Sequence, residues 1–209
     1  DNSVSGVFLS NELLDTFPVH IVVMRDNGLK EIYVDYSKGH YEEIEGALSN
    51  PKITEYFDIL PGRIPLAEGQ RCGVNLNALK WNREVFNALQ KGFLITIDYG
   101  DITKEEMEDG IIKGAPCVYD YSRPYLSMRQ IFNSPHTGSA DITSYVDFPT
   151  LEAFGRTIGF RTENLSLVNY WFELSSLPVF SGVLVQSKNI ASSSSVDVNA
   201  LIEKLRRYN

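Results

Sequence analysis

Two short acidic runs each follow an apolar stretch. Glu12 and Asp15 lie three residues apart in Ser10-Asn-Glu-Leu-Leu-Asp-Thr-Phe-Pro18, directly after Gly6-Val-Phe-Leu-Ser10. Asp98 and Tyr99 close the run Gly92-Phe-Leu-Ile-Thr-Ile-Asp-Tyr-Gly100. A carboxylate at the end of a buried strand can accept hydrogen bonds from a guanidinium or an amine, orient it and balance its charge. Two carboxylates at the Glu12–Asp15 spacing could grip both edges of an arginine side chain. Asn11 and Asp15 could equally cap the helix or turn that follows the strand. The residues alone leave both readings open.

Other chemistries have little to stand on. His20, His40 and His136 are scattered, and Cys72 and Cys117 form no CxxC pair, so no metal-ligand spacing is present. Two isolated cysteines fit reduced thiols in a cytosol-like compartment, the cytoplasm. There is no Gly-x-Ser-x-Gly elbow, no dinucleotide fingerprint and no Tyr-x-x-x-Lys pair, which argues against a hydrolase or dehydrogenase. The net charge of −8 and the absence of a basic patch argue against a nucleic-acid partner. The one basic cluster, Lys204, Arg206 and Arg207, lies at the end of the last expected helix, where it would complement the helix dipole. An acidic protein suits a protein substrate with a basic segment. No apolar run has the length of a membrane helix, and no signal-peptide pattern is present. A homodimer is among the assemblies this composition allows.

The elements that must position these residues read as α/β. Gly6–Ser10 is expected to be a buried strand. His20–Arg25 and Lys30–Tyr36, separated by Asp26-Asn27-Gly28, predict a hairpin. A helix is expected over about Tyr41 to Leu48. A second helix is expected from Asn75 to Lys91, with Asn75 as its cap and Gly92 in the left-handed position after it. The strand Gly92–Gly100 would follow at once. Helix, buried strand and acid at the strand end together indicate a parallel α/β sheet, whose ligands bind at the C-terminal ends of strands. Residues 101–146 read as an irregular insertion of the kind that forms lids or substrate-binding loops. Asp147 should cap a helix bearing Leu151, Phe154 and Ile158 and ending at Gly159. Phe160–Leu167 and Gly182–Ser187 read as the last strands. Ser192–Ser195 would be a linker to a short helix capped by Asp197.

Three segments carry a family resemblance. Leu9-Ser-Asn-Glu-Leu-Leu-Asp-Thr-Phe-Pro-Val-His20 resembles the Asn-Glu-Leu-(Leu/Phe)-Asp-Ala-(Leu/Phe)-Pro signature of the MidA family. That family includes the mitochondrial complex I assembly-factor methyltransferase and many bacterial relatives. Leu94–Gly100 is similar to its Leu-Ile-Asp-Tyr-Gly segment. Ala140–Leu151 resembles its Asp-(Ile/Leu)-Thr-Ala-His-Val-Asp-Phe segment, with Tyr145 where the family usually has histidine. The ordered set is more specific than any one motif. The Ser-Asn-Glu-Leu-Leu run is also similar to the acidic substrate loop of type II protein arginine methyltransferases.

The resemblance implies the C-terminal portion of a Rossmann-like class I methyltransferase fold, strands four to seven. It implies an inserted hairpin (about 19–60) and a long insertion after strand five (about 101–146), within a domain spanning 1–190 followed by a linker and helix over 191–209. It implies S-adenosylmethionine as cofactor, with Ser10 and Asn11 beside it, and the mitochondrial matrix as compartment if the source is eukaryotic. Glu12 and Asp15 would hold and deprotonate a substrate guanidinium. Asp98, Tyr99 and Asp141 would line the substrate pocket. Asp147 reads as a helix cap.

One departure stands against this. No Gly-x-Gly-x-Gly turn follows a strand in the sequence, and the family's order of motifs would put that turn before Asp1. The chain opens on Asp1 rather than methionine, which suits a processed or truncated protein. The alternative to an enzyme is therefore a methyltransferase-like module that binds a partner protein without catalysis.

Overall fold

The computed structural model describes residues 2–26, 28–62, 65–101, 116–120, 123–127, 141–170, 179–191 and 200. The apolar run at the start forms β1 (Val4–Asn11). It pairs in parallel with β6 (Leu89–Asp101), from Val4 opposite Leu89 to Asn11 opposite Ile97. β12 (Val179–Lys188) lies antiparallel on the other side of β6, and β11 (Arg161–Tyr170) is antiparallel to β12. The order is thus β1-β6-β12-β11, with the short β10 (Val146–Asp147) pairing in parallel with the end of β6. The two acidic tips therefore lie at the same end of two neighbouring strands. The mixed α/β sheet with its closing antiparallel pair is the Rossmann-like arrangement expected from the sequence.

Between β1 and β6 the chain builds a second sheet, ordered β4-β3-β2-β5. β2 (His20–Arg25) and β3 (Gly28–Ser37) are the expected hairpin, with Arg25 opposite Gly28. Asn27 of its turn lies outside the described residues. The helix expected over Tyr41 to Leu48 is instead β4 (His40–Gly46). Lys38 and Gly39 both take positive φ, 51° and 85°, as the two central residues of a tight hairpin turn do. Tyr36 then meets Tyr41, with ring centroids 4.8 Å apart. α1 (Lys52–Asp58) and β5 (Arg71–Val74) complete the unit.

α2 runs Leu76–Ala88, shorter than expected, with Asn75 accepting from the Ala78 amide as its cap. Gly92 does not end this helix. The chain passes straight into β6 at Leu89, and Gly92 lies inside the strand at φ 145°. A Cβ there would overlap the carbonyl of Gly6 on β1, so glycine is required for the two strands to meet. α3 (Phe148–Ile158) has its expected cap: Asp147 accepts from the Thr150 amide at 3.1 Å.

Within 101–146, which reads from the sequence as irregular, the described residues include strands. Asp101 still belongs to β6. β7 (Pro116–Asp120), β8 (Arg123–Ser127) and β9 (Asp141–Ser144) form a third sheet, ordered β8-β7-β9. His136, the Ser192–Ser195 linker and the Asp197 cap lie outside the described residues.

One core cluster joins these parts. Leu14, Val22, Ile53, Val74, Leu79, Phe148, Leu151 and Leu184 pack together, which ties both larger sheets to α1, α2 and α3. The outer side of β1 is different. Among the described residues no strand pairs with it, and Val7 and Leu9 are 56% and 54% exposed. No described helix is long and apolar enough to cross a membrane.

Candidate active site at the tips of two parallel strands

The parallel register carries the β1 chain past Asn11 onto the end of β6. The Glu12 amide donates to the Ile97 carbonyl at 2.9 Å, extending the ladder by one bond. Glu12 then turns the chain with φ 48°. A left-handed conformation is uncommon for a residue with a side chain, and such residues cluster at functional sites.

The next three residues bend back over the end of β6. The Leu13 and Leu14 amides donate to Oδ2 of Asp98 at 3.2 and 2.8 Å, and the Asp15 amide reaches the same oxygen at 3.4 Å. The other oxygen of Asp98 accepts from the Tyr99 amide at 2.8 Å. The turn over Leu14–Thr16 has no side-chain cap of its own. The expectation that Asn11 or Asp15 caps it is thus corrected: a carboxylate from the neighbouring strand takes the free amides. Asn75 adds a second tie, donating from Nδ2 to the Leu14 carbonyl at 3.1 Å while its Oδ1 caps α2. Leu14 itself is fully buried in the core.

Asp98 is 1% exposed. Its carboxyl is pushed up to about 7, first by burial and then by the charge of Asp15; the amides of Leu14, Tyr99 and Asp15 pull the other way. Asp15 is also buried. Its Oδ2 accepts from Thr143 Oγ1 at 3.0 Å and its carbonyl from Ser144 Oγ at 3.2 Å, so β9 is pinned to the loop. Burial raises the Asp15 carboxyl, the Thr143 bond opposes this, and the charge of Glu12 adds to the rise.

Glu12 faces the other way. It is exposed, and its Oε1 accepts from the Tyr99 hydroxyl at 2.9 Å. Asn11 is exposed beside it. Ser10 is buried, its hydroxyl 3.4 Å from Thr96 Oγ1 on β6. Asp141 is exposed at the start of β9, two residues before Thr143. Asp147 is bound to Thr150 and to the Tyr56 hydroxyl, at 2.8 and 3.2 Å.

The structure therefore brings Glu12, Asp15, Asp98 and Tyr99 together and divides them in two. Asp98 and Asp15 carry the loop; Glu12 and Tyr99 present polar atoms outward. Sequence reasoning gave Asn75 only its capping role and did not foresee Ser144. Both act across long sequence separations that leave no local signal. Gly100 is likewise explained only across the fold: a Cβ there would strike the Val146 carbonyl and the ring of Phe148. No group of three or more potential metal ligands exists among the described residues.

Two crystal structures from Burkholderia thailandensis share this fold. One is of an uncharacterized COG1565 superfamily protein: TM-score 0.70 at 18% identity, over 92% of this chain and 57% of the other. The second, a COG1565 superfamily member bound to S-adenosyl-homocysteine, gives a TM-score of 0.69 at 18% identity, over 92% and 56%. The chain thus spans little more than half the length of either neighbour. No curated protein matches it in sequence. A family model described as "Putative S-adenosyl-L-methionine-dependent methyltransferase" matches residues 1–166, both acidic tips and the β9 segment included. That match runs through well over half of the sequence, and by it the chain belongs to this methyltransferase family.

Proposed function

We propose that the chain is the substrate-side part of an S-adenosylmethionine-dependent methyltransferase that acts on a protein, at an arginine side chain, in the manner of the MidA family. The carrying observation is Glu12. It is an exposed carboxylate held in a left-handed turn and fixed by a hydroxyl from the neighbouring strand tip. The Tyr99 bond engages Oε1 and leaves Oε2 for a guanidinium N–H. A guanidinium loses a proton around methyl transfer, and Glu12 is placed to orient it and accept that proton. Tyr99 positions Glu12. Asp98 and Asp15 position the loop that bears it. Asp141, on the strand that Asp15 pins, would stand at the rim where a basic substrate segment enters.

The residues present fit one side of the cofactor. Asn11 is exposed at the strand end next to Glu12 and is the proposed contact. Ser10 fits less well, because its hydroxyl is buried toward Thr96. Once bound, S-adenosylmethionine supplies an already activated methyl group, so the protein's part is alignment and proton removal. The second reading is a non-catalytic module that binds a basic partner through the same acidic strand tips. Titrating S-adenosylmethionine into the intact natural protein by calorimetry separates the two. Binding followed by methyl-arginine in a substrate protein supports the enzyme. No binding supports the module.

A further inference from the structure

We propose that β4 is a docking edge, to which an extended lysine- or arginine-bearing segment of a partner protein adds as a fifth strand of the four-stranded sheet. Among the described residues β4 is the end strand of that sheet, seven residues long. Natural edge strands guard themselves with charged side chains, lysine above all, or with proline, bulges or shortness; the charge on β4 is glutamate, which opposes an acidic strand and not a basic one. His40-Tyr-Glu-Glu-Ile-Glu-Gly46 has neither lysine nor proline. Its pairing with β3 runs from Glu31–Gly46 to Ser37–His40 without a register shift.

The side chains around this edge suit a peptide. Ile44 is 46% exposed, and Val34 and Tyr36 on β3 are 54% and 63% exposed. Alternation puts Val34 and Tyr36 with Glu43 and Tyr41 on one face, and Tyr33 and Asp35 with Ile44 and Glu42 on the other. A strand added beside β4 would therefore meet apolar and acidic residues on both faces.

Charge decides which strand. Glu43 and Glu45 are matched within the molecule by Arg71 and Arg25. Asp35 and Glu42 stand directly opposite one another with no ion-pair partner among the described residues. Like charges set across a ladder destabilise it, so a cationic side chain laid between them relieves a cost already present. A second copy of this chain would bring another acidic β4 against the first and add to that cost. A basic strand is the complementary occupant, bound through main-chain hydrogen bonds with side-chain pockets for selectivity. The inference rests on the reading of a basic protein partner, but not on methyl transfer.

The test uses the intact protein with no methyl donor present. A fluorescent peptide alternating lysine and valine is titrated and followed by anisotropy. The expected result is saturable binding, with slowed amide exchange over residues 40–46. The charge-reversed variant D35K/E42K should weaken it at least about tenfold, and so should N-methylation of alternate peptide amides. Absence of binding, unchanged exchange over 40–46, or equal affinity for D35K/E42K or for the N-methylated peptide overturns the proposal. Failure of the Glu12 mechanism with peptide binding intact would strike the catalytic reading alone.

Discussion

Asp98 and Glu12 both sit at strand tips, both are acidic, and both hydrogen-bond groups from the opposite tip. They do opposite work. Asp98 is buried and saturated by backbone amides. Glu12 is exposed and holds a single hydroxyl, so half of its carboxylate faces outward. The difference shows how one acidic patch can be both scaffold and tool. The buried carboxylate spends its acceptor capacity on the loop, and the loop in turn holds the exposed carboxylate in a conformation it would not keep alone.

The strongest way to break this comparison is Glu12→Ala in the complete protein. Methyl transfer should fall by roughly 10²- to 10⁴-fold, with thermal unfolding unchanged. Activity near wild type would remove Glu12 from the chemistry. Asp98→Ala should act the other way round. It strands several loop amides at once and should cost on the order of 3 kcal/mol in a urea titration, so a loss under about 0.5 kcal/mol would show that the loop holds itself.

The pH dependence of stability sharpens the same contrast. The Asp98 carboxyl lies near 7 in the folded protein, against 3.8 for its ordinary value. The folded state then binds more protons than the unfolded chain across this window. Its contribution is fully present below pH 4 and is lost as pH rises toward 7. Asp98→Asn should flatten that part of a stability-versus-pH curve. The smallest effect is expected from Tyr99→Phe. Losing one partly exposed hydrogen bond should cost at most about 1 kcal/mol of stability, yet lower kcat about tenfold by letting Glu12 wander. Equal kcat would mean that the hydroxyl does not position it.

The convergence of the two tips was legible because each acid follows an apolar run, and parallel strands place such ends together. Which acid would be spent was not legible. It depends on the β1–β6 register, which sets Asp98 beneath amides about 85 residues away in sequence. The misread helix has a physical origin too. Ile44 and Leu48 lie four residues apart among glutamates, as on a helix face, but the Lys38-Gly39 turn and the Tyr36–Tyr41 pair commit the segment to a hairpin. The β7-β8-β9 sheet escaped notice because its strands are short and lie in a polar, proline-bearing sequence. The caps of α2 and α3 were readable because Asn75 and Asp147 act within three residues of themselves.

The bare side of β1 bears on how this polypeptide behaves in a tube. A row of peptide groups unclaimed among the described residues, flanked by Val7 and Leu9, is a template on which molecules can zip together into larger sheets. Light scattering of a concentrated preparation should rise with time and fall when Val7 is replaced by lysine. Any handling of this chain by itself should therefore begin dilute and cold.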